Sequence, residues 1–132
     1  MCAKEIVRMD WAHYQKVTYS PAVKKGNLLF ISGQTGLDYG TGLVIGKGDV
    51  VTQARQAYKN VKAILEKAGA TFDDVVKITD YITPEALPNY KATAAVRREY
   101  LKKDFPASTG VVVNRLVSSD FLIEIDVVAV MD

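Results

Sequence analysis

The chain has 132 residues, 48% hydrophobic and 24% charged, with 17 Lys and Arg against 15 Asp and Glu and a formal net charge of +2. A single domain of this length hides about two-thirds of its unfolded surface, and the composition is far from the low-hydrophobicity signature of disorder. The mild charge, with no basic run interleaved with aromatics, argues against a nucleic-acid surface, and no apolar stretch approaches the roughly 20 residues of a membrane span.

The N-terminal residues MCAKEIVRMD lack the apolar core of a signal peptide, so a cytoplasmic location is expected. Cys2 is the sole cysteine and His13 the sole histidine, which excludes an internal disulfide and leads us to expect neither metal nor cofactor. In chain order, Val17 to Tyr19 and Asn27 to Ser32 (NLLFIS) predict two strands, joined as a hairpin through Pro21 and a polar Lys24-Lys25-Gly26 turn. Residues 33–48 (GQTGLDYGTGLVIGKG) hold six of the nine glycines and read as an ordered loop or a small excursion. They spell no phosphate-binding loop, so nucleotide binding is not expected.

From Asp49 to Ala68, Val51, Ala54, Tyr58, Val61, Leu65 and Ala68 recur at threes and fours, predicting an amphipathic helix with Gln53, Arg55 and Lys59 off the apolar stripe. Asp49 suits the N-cap and Gly69 the C-terminal stop. Asp74 to Thr83 is rich in β-branched residues and predicts a strand ending at Pro84. A second helix is expected from Pro88 through Tyr90, Ala94, Arg97 and Leu101 to about Lys103. Strands over about Gly110 to Arg115 and Phe121 to Val130 finish the chain.

This order predicts one α+β domain over residues 1–132, a two-layer sandwich with two helices on one face of a mixed sheet of about six strands. The other sheet face has no cover within the chain, so a homo-oligomer is expected.

Within LIEIDVV, alternation places Glu124 and Asp126 on one face of an apolar strand. That face is either a solvated sheet edge or a pocket wall, where burial would raise a carboxyl pKa and let it activate a water. Ser32 ends a strand before Gly33, where small residues admit a ligand to the backbone or simply make a turn. Tyr19, before Ser20-Pro21, either presents its hydroxyl or packs. After Phe105 the chain enters a strand through Pro106, Ala107, Ser108, Thr109 and Gly110, none of them with a large side chain.

Taken together, GNLLFISGQ, QARQAYKNVKAILEKAGATFDDVVKITDYI, FPAST, NRL and LIEIDVVAV resemble the reactive intermediate deaminase family, RidA/YjgF or L-PSP, from about Tyr19 to Val130. The resemblance implies a chorismate-mutase-like fold, a homotrimer with clefts between subunits, and a small-molecule substrate. It places Tyr19 in the cleft, Ser32 and the Gly33 backbone beside the ligand, and Glu124 as the carboxylate that orients a hydrolytic water. In the best-known deaminase branch an arginine that grips a substrate carboxylate follows FPA. Here that position is Ser108, the frequent cysteine two residues later is Gly110, and a helix asparagine is Ala94. A serine hydroxyl cannot replace a bidentate guanidinium.

Three functions follow from the resemblance. The first is a hydrolase of imine or enamine intermediates with an altered substrate range, in which Glu124 and Ser32 are catalytic and Tyr19, Gly33, Ser108 and Thr109 bind substrate. The second is a non-catalytic trimer that binds small molecules. The third is the endoribonuclease or translation-inhibitor activity attached to some members, which the lack of a His pair and of a basic stripe disfavours. Arg115 is the alternative carboxylate grip, although the family uses that arginine for structure or the interface.

Overall fold

A computed structural model describes residues 3–132. Cys2 therefore lies outside the described residues. The elements are β1 (Glu5–Val7), β2 (Ala22–Lys25), β3 (Leu28–Gln34), β4 (Leu37–Asp38), β5 (Leu43–Val44), α1 (Val50–Ala68), β6 (Val75–Ile82), α2 (Ala94–Leu101), β7 (Ala107–Val112) and β8 (Ile123–Val130). Short 3-10 turns cover Ala12–Gln15, Phe72–Asp74 and Leu87–Thr93. Six strands form one sheet in the order β1-β2-β3-β8-β6-β7, antiparallel except for the parallel β6–β7 pair, and β4–β5 forms a small separate hairpin. The architecture is the expected α+β sandwich, with both helices packed against one face of a mixed six-stranded sheet.

α1 begins and ends where its sequence marks it. Asp49 Oδ1 accepts from the Val51 and Thr52 amides, and Gly69 closes the helix at φ +81°, in the left-handed region open to glycine. Its apolar stripe, Ala54, Tyr58, Val61 and Leu65, packs on Leu29 and Ile31 of β3 and on Ile123, Ile125, Val127 and Ala129 of β8, all buried. Gln53 departs from the sequence reading, because it is fully buried. Its Nε2 donates to the Gly46 and Asp120 carbonyls and its Oε1 accepts from the Leu122 amide, which staples the helix to the segment entering β8.

Three strands differ from expectation. Val17 to Tyr19 form no strand, and the hairpin instead pairs Ala22–Lys25 with β3 through a two-residue turn at Gly26 (φ +59°) and Asn27. A glycine at the first turn position lets two such strands keep their twist. β7 starts at Ala107 and stops at Val112, earlier than predicted, because parallel pairing with Lys77 to Ile82 supplies the backbone bonds that its small side chains do not advertise. β1 was not expected, and it pairs along β2. The second helix splits, with a 3-10 turn preceding the α-helical part from Ala94.

The sheet face away from the helices is open. It presents Leu28 and Phe30 of β3, 40% and 48% exposed, opposite Val130 and Val128 of β8. Among the described residues no helix is long and apolar enough to cross a membrane.

Candidate functional site

Alternation along β8 buries Ile123, Ile125 and Val127 under α1 and turns Glu124 and Asp126 to the open face. The neighbouring β3 carries an irregularity between Ile31 and Gln34, so its register with β8 slips there and Gly33 comes opposite the Glu124 side chain. A Cβ on Gly33 would lie 2.8 Å from Glu124 Cδ and overlap its carboxylate, so the missing side chain is what lets this carboxylate lie across the strand in its present position. Burial pushes the Glu124 carboxyl above the usual carboxylate range, and the neighbouring Asp126 charge pushes it in the same direction.

Ser32 precedes Gly33 in the strand and has its hydroxyl proton committed. Its Oγ donates to the Ser20 carbonyl at 2.6 Å, leaving its oxygen lone pairs as acceptors. The same bond holds the Ser20-Pro21 turn that presents Tyr19. Burial raises the Tyr19 phenol pKa, with smaller contributions from Tyr14 and the Glu124 charge, which places the ring near the carboxylate. Tyr19, Ser32, Gly33 and Glu124 thus gather at one end of the β3–β8 pair.

An aromatic cluster that the sequence reading missed backs them. Trp11 stacks on Tyr39 at 4.3 Å and 10°, and Tyr14 meets Tyr19 edge to face at 5.8 Å. Buried Gln34 donates to Tyr14 Oη at 3.1 Å and accepts from Tyr39 Oη at 3.0 Å, while the two phenols stand 3.0 Å apart. His13 Nε2 lies 3.0 Å from Tyr19 Oη. The local signal was the aromatic density of WAHY, but Tyr39 arrives from the glycine-rich loop, which no spacing rule connects to it.

Ser108 and Thr109 stand elsewhere. Glu124 pairs with Tyr81, and Tyr81 with Val111, so β7 runs two strand spacings, about 10 Å, from β8. Thr109 shares the open face and accepts from Lys77 Nζ at 2.7 Å. By alternation Ser108 faces the opposite side. Gly110, on the Ser108 side, has its missing side chain replaced, because a Cβ there would sit 3.1 Å from Tyr90 Oη. That phenol donates to buried Asp80 at 2.6 Å, where Arg97 also donates at 2.9 Å, and burial with this bond lifts its pKa to about 12. Part of the room beside Gly110 is therefore filled by Tyr90 from the turn before α2. Arg115 lies after β7, its Nε 3.5 Å from the Leu116 carbonyl. Among the described residues no three His, Cys, Asp or Glu side chains gather to hold a metal ion.

The family model for endoribonuclease L-PSP matches residues 11–131. The chain belongs to that family, also known as RidA/YjgF. It is 40% identical over 126 residues to a RutC family protein of Pyrococcus horikoshii, covering 96% of this chain and 97% of the relative. It is 32% identical over 132 residues, with full coverage of both chains, to a 2-iminobutanoate/2-iminopropanoate deaminase of Dermatophagoides farinae. Among solved structures, the Rid family protein YyfA of Yersinia pestis superposes with a TM-score of 0.89 at 33% identity, covering 98% of this chain and 100% of that one. The YjgF gene product of E. coli gives 0.83 at 35% identity, covering 97% and 99%.

Proposed function

We propose that this RidA/YjgF protein is a hydrolytic deaminase of reactive imines and enamines, working as a homotrimer with its sites in clefts between subunits. The observation that carries the reading is the Glu124 carboxylate, laid across Gly33 and made more basic by burial and by Asp126. An enamine first tautomerises to the imine. Glu124 then takes a proton from water as the water oxygen bonds to the imine carbon and the C=N π pair moves to nitrogen, and it passes that proton to the nitrogen to give a carbinolamine. It next takes the carbinolamine hydroxyl proton as C=O forms and delivers it to the nitrogen as the C–N bond breaks and ammonia leaves. Ser32, with only acceptor capacity free, receives an N–H of the reacting nitrogen, and Tyr19 and the Gly33 backbone line the cleft.

The separation of Ser108 and Thr109 from Glu124 within one chain supports a cleft that a second copy completes, as does the exposed apolar strip on the open sheet face. With Ser108 in place of the arginine, the substrate either lacks an α-carboxylate or carries its charge elsewhere. The mite relative's name supports imine chemistry in general and leaves the range of this chain open.

The test is ammonia release from 2-aminoacrylate and 2-aminocrotonate generated in situ, with the protein beside Ser108→Arg and Glu124→Gln. Acceleration by Ser108→Arg alone is the expected outcome, and Glu124→Gln placed in that background should lower it by about 100-fold or more. Loss-free hydrolysis in the Glu124→Gln background would remove the carboxylate from the mechanism. Inert proteins throughout, with ligands still raising Tm, would favour the non-catalytic binding trimer.

A further inference from the structure

Beside Tyr19, and lined by none of Ser32, Gly33 and Glu124, the chain forms a pocket of about 240 Å³ between β1, the 3-10 turn at Ala12–Gln15 and the Ser20-Pro21 turn. Its wall includes Arg8, Trp11, Tyr14, Gln15, Tyr19 and Ser20. Arg8 is the one charged residue among those that line it. Among the described residues Arg8 takes part in none of the four ion pairs, so its guanidinium keeps its five donors for a ligand.

The aromatic wall is set before any ligand arrives. Tyr39 covers one face of Trp11 and does not line the pocket, so the pocket meets what that stack leaves free. Tyr14 is locked by the Gln34–Tyr39 hydrogen bonds and Tyr19 by His13. Such a wall loses little freedom when a flat molecule settles on it. The volume lies below the usual span of drug-sized sites, about 300–1,000 Å³, and suits a single ring with a short side arm. A cationic fork beside neutral aromatic surfaces, with no acid among the lining residues, selects against cations and favours a planar anion.

We propose that this pocket binds an aromatic or conjugated carboxylate, its ring against Trp11, Tyr14 and Tyr19 and its carboxylate on the Arg8 guanidinium. The site does not depend on the deaminase reading. It shares Tyr19 with the Glu124 cleft, so a ligand seated here borders the place where that chemistry is proposed.

Trp11 is the only tryptophan in the chain and lines this pocket, so its emission is a direct probe of binding there. The experiment titrates the protein with 3-phenylpropionate, following Trp11 fluorescence and the heat of binding, and uses 3-phenylpropanamide as the uncharged control. Saturable binding of the acid is expected, with affinity falling about ten- to a hundredfold in Arg8→Gln, while the amide binds both proteins equally weakly. Arg8→Lys should recover part of the loss, and matching far-UV spectra of the variants show that the fold is kept. Absence of saturable acid binding, equal binding of acid and amide, or unchanged affinity in Arg8→Gln would each overturn the proposal. Glu124→Gln should leave this binding intact even where it abolishes hydrolysis, which separates failure of the site from failure of the reaction.

Discussion

Strand β8 has a neighbour on each side and α1 above it, so its residues alternate between fully and half buried. β7, two places away in the same sheet, has one neighbour, and all six of its residues are exposed. The surroundings of the inward-facing β8 side chains are therefore set by this chain alone, and even the half-buried Glu124 and Asp126 carboxyls are already shifted upward in one subunit. The surroundings of β7 are not. What Ser108 and Thr109 do depends on what covers them, and in the proposed trimer that is another subunit.

The contrast is sharpest in truncations. Ile125→Ala, at a fully buried β8 position, should cost about 2–5 kcal/mol in urea denaturation. Val111→Ala, 38% exposed on β7, should stay within about 0.5 kcal/mol in dilute protein. A cost for Val111→Ala that appears only as protein concentration rises would show β7 covered on assembly, whereas a large cost at every concentration would erase the distinction. Next comes Glu124→Gln as a stability probe. A carboxyl whose pKa is raised by folding is destabilised when ionised, so native stability falls as pH rises from the ordinary carboxylate range through the raised value. Removing the charge should raise Tm at pH 7, and the gain should fade below about pH 4, where the unfolded chain also protonates its glutamates.

Smaller still is Asp126→Asn. It should move the acidic limb of the pH–rate profile to lower pH, because the Asp126 charge helps to hold the Glu124 carboxyl up. An unmoved limb would mean that burial alone sets it. Thr109→Val, which removes the acceptor of the exposed Lys77 bond, should change denaturation by no more than about 0.5 kcal/mol.

The same contrast governs how far the sequence could be read. α1 was legible to within a residue because its cap and stop are chemical signals, and Glu124 stood out because an acid interrupting an apolar strand shows its face by parity. β7 was placed three residues late because Ala107 and Ser108 have little strand preference, one β-branched Thr109 does not outweigh them, and their pairing comes from β6. Val17 to Tyr19 misled for the opposite reason, since β-favouring residues there precede Pro21 and the pairing begins only after it. Gln53 resembled a surface residue until its three backbone partners, two of them more than sixty residues away, came into view. The Trp11–Tyr39 stack and the Asp80–Tyr90–Arg97 cluster join distant segments, and no local periodicity encodes them. The family resemblance supplied roles for Tyr19, Ser32 and Gly33 that their residue types alone left open.

The parallel pairing of β6 and β7 also imposes an order in time. β2 and β3 meet across a two-residue turn, but β7 reaches β6 only after the chain from Ile82 to Ala107 has crossed over and folded. Contacts of that range form late, and an edge strand held on one side opens early. β8 closes over a longer range still, Leu28 of β3 pairing with Val130, so until it docks a newly made subunit keeps the facing edges of β3 and β6 bare, the stage most open to pairing with the wrong chain.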